Sequence, residues 1–178
     1  GVIAMNRDGS GAHGVAFESR ILSLNTSSPT DCDPDDGCQH SDRDIGRAID
    51  IARANGAKVI NISLGGDGVG SAVLSAVNRA VAAGIVVVIS AGNEGGASPE
   101  NFALITAQTA GNGQVIIAGA MDENRALASF SNRAGSGAQH YLVALGVRVR
   151  TLDETGRATL WSGTSFSAPI ISGAAALL

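Results

Sequence analysis

The chain has 178 residues, of which 44% are apolar, 16% charged and 3% aromatic, with a formal net charge of −4. That length supports one domain whose core is built from Ala, Val, Ile and Leu, a composition suited to helices packed on a parallel sheet. The charge leaves no basic stripe for nucleic acid and no polybasic patch for a membrane, and no apolar run reaches the length of a membrane span.

The sequence begins Gly1-Val2-Ile3-Ala4 and ends Ala176-Leu177-Leu178 in the middle of an apolar helical run, so both ends read as cut and a longer parent is expected. Arg20 to Asn25 reads as a short strand. Cys32 and Cys38 flank the acidic loop Asp33-Pro34-Asp35-Asp36-Gly37, a spacing that predicts a local disulfide in an oxidising compartment. Zinc on the two cysteines with His40 is the sharper alternative, but it lacks a fourth ligand. Calcium at these aspartates would need the glycine and distal glutamate of an EF-hand loop, which are out of register.

Ser41 can cap a helix carrying Ile45, Ala48, Ile49 and Ala52 at helical spacing and ending at Gly56. Val59 to Ile62 is a buried strand, followed by the tight loop Ser63-Leu64-Gly65-Gly66. A second helix from about Ser71 presents Leu74, Val77 and Val81 and stops at Gly84. Ile85 to Ile89 is an uninterrupted apolar strand leading into Ser90-Ala91-Gly92-Asn93-Glu94-Gly95. Strand, helix, strand, helix, strand with short connections predicts a parallel sheet with right-handed crossovers. Ligands collect beyond the carboxyl ends of such strands, where both glycine loops fall. Further on, Val115 to Gly119 and Tyr141 to Leu145 read as strands, and Arg148 to Leu152 with Arg157 to Trp161 as a hairpin around Glu154-Thr155-Gly156.

The chain closes on Gly163-Thr164-Ser165-Phe166-Ser167-Ala168-Pro169 and a small apolar run. A hydroxyl two residues after a glycine at a helix start suits a nucleophile, because the first helical N–H groups lack internal partners and the dipole favours negative charge there. A cap formed by Thr164 or Ser165 is the ordinary alternative.

Four segments resemble the subtilases, the subtilisin-like serine proteases, in family order. Gly14-Val15-Ala16-Phe17 resembles the GVAP turn, Val59 to Gly66 the VINMSLGG strand and loop, Val88 to Gly95 the AAGNEG segment, and Gly163 to Pro169 the GTSMASP motif with Phe166 for methionine. The resemblance implies an α/β, subtilisin-like fold with a mostly parallel sheet and helices on both faces, truncated at both ends. Residues 1–178 would be the C-terminal part of a catalytic domain. It implies Ser165 as acylation site and Asn93 as oxyanion donor. It also implies Ser63, Leu64, Gly65 and Gly66, with Ala91 and Gly92 facing them, as the substrate cleft.

The resemblance further implies a peptide or protein substrate, no obligatory cofactor, and a secreted, periplasmic or cell-surface location. Asn6-Arg7-Asp8-Gly9-Ser10 occupies the place of a calcium loop in some relatives, with Asp8 the single carboxylate that matches. Phe166 and the small disulfide loop resemble bacterial autotransporter proteases. The family's triad runs Asp, His, Ser, and the last glycine of its HGTHVAG motif corresponds to Gly1, which puts the histidine and aspartate upstream of this chain. His13, His40 and His140 read as surface or turn residues, so the 178 residues alone are expected to be inactive. The alternative is a non-catalytic peptide-binding module. A truncated sheet would also leave an unpaired edge for dimerisation.

Overall fold

A computed structural model describes residues 1–9, 12–33, 37–153 and 155–178. Four parallel strands form its centre in the order β3-β4-β5-β6: β3 (Val59–Ile62), β4 (Val86–Ser90), β5 (Val115–Met121) and β6 (Tyr141–Leu145). Alternation along β4 shows how the sheet is covered. Val87 and Ile89 join the core under α1 (Asp42–Ala54), α2 (Ser71–Ala82) and α3 (Asn101–Thr109). Val88 instead packs with Ala118, Ala144, Ala168 and Ile171 under α4 (Thr164–Ala176). Helices therefore cover both faces, and period-two side-chain alternation is what sends neighbouring valines to opposite cores.

Ser41 caps α1 as expected, accepting the Asp44 N–H at 3.1 Å. In α2 the buried face is Val73, Ala76, Val77, Ala80 and Val81, one residue round from the predicted stripe, with Leu74 only partly buried. Helix α3 has no counterpart in the sequence reading. Leu104 and Ile105 lie outside its buried set of Phe102, Ala103, Thr106 and Ala107, so its apolar residues form no single stripe.

Arg20 to Asn25 pairs with no strand among the described residues. Residues 19–24 instead line a groove opposite α1 and β3, with Ile21 and Leu22 exposed. The groove leaves the outer edge of β3 without a ladder partner among the described residues. Cys32 and Cys38 are disulfide-bonded across a small antiparallel ladder of β1 (Cys32–Asp33) and β2 (Gly37–Cys38). The bond removes both thiolates from the zinc alternative, and His40 meets Thr26 Oγ1 at 2.7 Å. Pro34, Asp35 and Asp36 of the acidic loop lie outside the described residues.

The predicted hairpin is present as β7 (Val149–Leu152) and β8 (Ala158–Trp161), with Glu154 of its turn outside the described residues. No helix among the described residues is long and apolar enough to cross a membrane.

Candidate active site

Both glycine loops leave the sheet at the carboxyl ends of adjacent strands, Ser63 to Gly66 after β3 and Ala91 to Gly95 after β4. Helix α4 begins between them. Gly163 at its N-cap has φ 150° and ψ 157°, a conformation that only glycine adopts readily. No side-chain hydroxyl caps the helix, which removes the capping reading of Thr164 and Ser165. The two hydroxyls have other partners. Thr164 Oγ1 donates to Asn93 Oδ1 at 3.0 Å, and Ser165 Oγ donates to the Ser63 carbonyl at a long 3.4 Å.

Ser165 is held through its backbone. Its carbonyl accepts the Ser63 hydroxyl at 3.1 Å, and Ser63 Oγ accepts from Asn61 Nδ2 at 2.9 Å. Asn61 Oδ1 in turn accepts the Ser172 hydroxyl from α4 at 3.0 Å. This relay ties the helix to β3 and the loop after it at two points, Ser165 in its first turn and Ser172 about two turns on. The Ser165 side chain itself is left with a single weak contact. Its backbone N–H lies in the first turn of α4, where no internal acceptor exists.

Asn93 is exposed, and its orientation is fixed by chemistry. Its Oδ1 accepts the Thr164 N–H at 2.8 Å as well as the Thr164 hydroxyl. A backbone N–H can only donate, so the atom it meets must be the carbonyl oxygen of the amide. The Nδ2 donor is thereby left out of the contact with Thr164, and it has no hydrogen-bond acceptor among the described residues. Asn93 is not among the residues with positive φ, so its backbone is not left-handed.

The walls of the cleft close on two carboxylates. Gly92 has φ 101°, and a Cβ there would run into Asn132 Nδ2, Glu94 Oε2 at 2.7 Å and Glu100 Cγ at 2.8 Å. A Cβ on Gly65, in the opposite wall, would collide with the Glu100 carboxylate. Glu100 Oε2 accepts the Gly66 N–H at 2.6 Å. Glu94 Oε2 accepts from Asn132 Nδ2 at 2.8 Å, and buried Asn132 also reaches the Ala91 carbonyl at 3.1 Å. Burial pushes the Glu100 carboxyl above its ordinary range. The Gly66 N–H opposes this, while the charges of Glu94 and Asp67 and a hydrogen bond with Glu94 add to it.

Phe166, next to the serine, stacks on Trp161 of β8 with centroids 5.9 Å apart. Sequence reasoning missed Glu100, Asn132 and this aromatic pair. The Pro99-Glu100 dipeptide ahead of an apolar run was the available signal for a helix start at Glu100.

No histidine approaches the serine among the described residues. His13 Nδ1 lies 2.9 Å from the Gly14 carbonyl, and His140 Nε2 lies 3.1 Å from Gln139 Nε2. Asp8 is exposed, and Ser10 of its loop lies outside the described residues. Among the described residues no group of three or more His, Cys, Asp or Glu side chains is gathered to hold a metal ion.

Comparison with known proteins gives the family. The family model Peptidase_S8, the Subtilase family, matches residues 1–178. The chain is similar to subtilisin DY of Bacillus licheniformis, at 41% identity over 130 residues covering 73% of this chain and 45% of that protein. It is also similar to a thermophilic serine proteinase of Bacillus sp. (strain AK1), at 41% identity over 135 residues covering 76% and 31%. Among solved structures, the self-cleaved protease domain of PatA superposes with a TM-score of 0.84 at 28% identity, covering 99% of this chain and 63% of that one. The chain thus spans less than half the length of these curated relatives. With the serine, the tethered asparagine and the glycine walls in family order and in one cleft, this chain belongs to the subtilase family.

Proposed function

We propose that the protein containing these residues is a serine endopeptidase that hydrolyses peptide bonds through an acyl-enzyme on Ser165. One observation carries the reading: Thr164 turns the Asn93 amide so that its N–H is left unpaired beside the first turn of α4. A substrate carbonyl attacked by Ser165 Oγ develops negative charge on its oxygen. Asn93 Nδ2 and the Ser165 N–H are the two donors for it, already oriented before the reaction. Extended substrate lies along Ser63 to Gly65, whose backbone groups pair with it as an added strand. The chemistry is carried by protein groups, and calcium at Asp8 would serve stability only.

In this reading, residues 1–178 are the C-terminal part of the catalytic domain, and a histidine and aspartate from another segment complete it. Ser165 Oγ contacts only the Ser63 carbonyl, so nothing among the described residues can take its proton. The 178 residues alone are therefore inactive. The free edge of β3 is where the rest of the domain, or in its absence a second copy, adds. The disulfide supports a secreted, periplasmic or cell-surface location, and with Phe166 it supports a place among the bacterial autotransporter proteases.

The test is peptide hydrolysis by the full-length protein beside its Ser165→Ala variant. The reading predicts a burst of released leaving group in the first and none in the second. Tight peptide binding without turnover in both would favour a peptide-binding module instead.

A further inference from the structure

The substrate cleft is closed at its far end by a side chain that the mechanism does not use. Helix α3 starts at Asn101, and its N-cap residue Glu100 reaches back between the two glycine walls. Its backbone N–H donates to the Ala91 carbonyl at 2.9 Å, and the Phe102 N–H donates to the Gly66 carbonyl at 3.1 Å. Both ends of this turn are thus sewn to the walls, and the carboxylate is held between them. One of its oxygens takes the Gly66 N–H. No arginine or lysine forms an ion pair with Glu100 or Glu94 among the described residues. The half-buried carboxylate of Glu100 and the exposed one of Glu94 beside it, each with few donors and no cation, repel each other and lack a counter-charge.

Building on the protease reading above, we propose that Glu100 is the specificity-determining residue of the primary pocket and selects peptides with lysine or arginine on the acyl side of the scissile bond. Glu100 itself lies against the bare backbone of Gly65 and Gly92, so its carboxylate is within reach of a long side chain that enters between these walls. The ammonium or guanidinium at its tip meets Glu100, with Glu94 beside it, and supplies the missing positive charge. An apolar side chain of the same length would leave the half-buried Glu100 carboxylate desolvated and uncompensated, which disfavours it. Small side chains fit without reaching the charges and gain nothing from them.

The experiment profiles the full-length protein against peptides that differ only at this position, together with labelling of Ser165 by a fluorophosphonate. The proposal predicts that kcat/KM for arginine and lysine exceeds that for leucine and phenylalanine at least tenfold. In Glu100→Gln the arginine-to-leucine ratio should fall at least tenfold. A wild-type protein that labels at Ser165 and prefers leucine or phenylalanine overturns the proposal and leaves the protease reading standing. So does an unchanged ratio in Glu100→Gln. The wild-type profile decides the matter even where the variant does not fold. No cleavage of any peptide together with no labelling of Ser165 overturns the protease reading, and this proposal with it.

Discussion

The two ends of the cleft are built on opposite principles. At the serine end, polar groups are tied down in pairs: Thr164 holds Asn93, and Ser172, Asn61 and Ser63 hold the helix that carries Ser165. Asn93 Nδ2 is left without an acceptor among the described residues, and Ser165 Oγ keeps only its long 3.4 Å contact with the Ser63 carbonyl. At the pocket end, Glu94 and Glu100 crowd together, and burial raises the Glu100 carboxyl. On the proposed reading, the difference teaches that reactivity is set by fixed geometry, whereas selectivity is set by a charge imbalance that a substrate can relieve. The first comes from a helix and a strand locked together, the second from one turn ahead of a helix.

Substitutions separate the two ends. The largest effect belongs to the serine end: Ser165→Ala in the full-length protein should lower kcat by about 10⁶-fold, the scale found for nucleophile removal in the relative subtilisin. Steady-state hydrolysis of a fluorogenic peptide measures it. Asn93→Leu should lower kcat by about 10²–10³-fold with little change in KM, again a magnitude known from subtilisin. An equal rise in KM instead would mean that Asn93 binds the ground state.

Smaller effects probe how the ends are held. Asn61→Ala breaks the relay between Ser172 and Ser63 and should cost about 1–2 kcal/mol in denaturant unfolding. It should lower kcat as well, because Ser165 loses its anchor to β3.

The smallest effect lies at the pocket end and depends on pH. A carboxyl raised above its unfolded value keeps its proton longer in the folded state, so stability falls as pH rises from the ordinary glutamate range through the raised one. Glu100→Gln does not titrate. Its melting temperature should therefore gain on that of the wild type across this window and hold the gain at neutral pH. A difference that does not change with pH would place Glu100 outside the strained charge pair.

The serine end and the glycine walls were legible in the sequence, and the Glu100 floor of the pocket was not. Residues Val59 to Gly66, Val86 to Gly95 and Gly163 to Pro169 combine apolar runs with glycine turns, so strand, loop and helix start could all be placed from local pattern. The partners of Ser165 and Asn93 could not, since Ser63 and Thr164 meet them across long sequence separations. Helix α3 escaped because its apolar residues form no stripe, and its N-cap is a glutamate, which is not a usual cap. Glu100 was lost with it. Asn132 sits in a loop with no period at all, and only its burial against Gly92 and Gly96 gives it meaning. Arg20 to Asn25 has strand-like composition, yet a strand also needs a neighbouring edge, and a groove lies there instead.

The central claim is that Ser165 is a nucleophile whose base comes from outside these 178 residues. Its most direct test is the rate at which a fluorophosphonate modifies Ser165, read by mass spectrometry of the peptide that carries it. The full-length protein and the 178-residue chain, the latter shown by circular dichroism to be folded, are compared side by side. The account predicts rapid modification in the full-length protein and none above background in the shorter chain. Equally rapid modification of Ser165 in the folded 178-residue chain would contradict it.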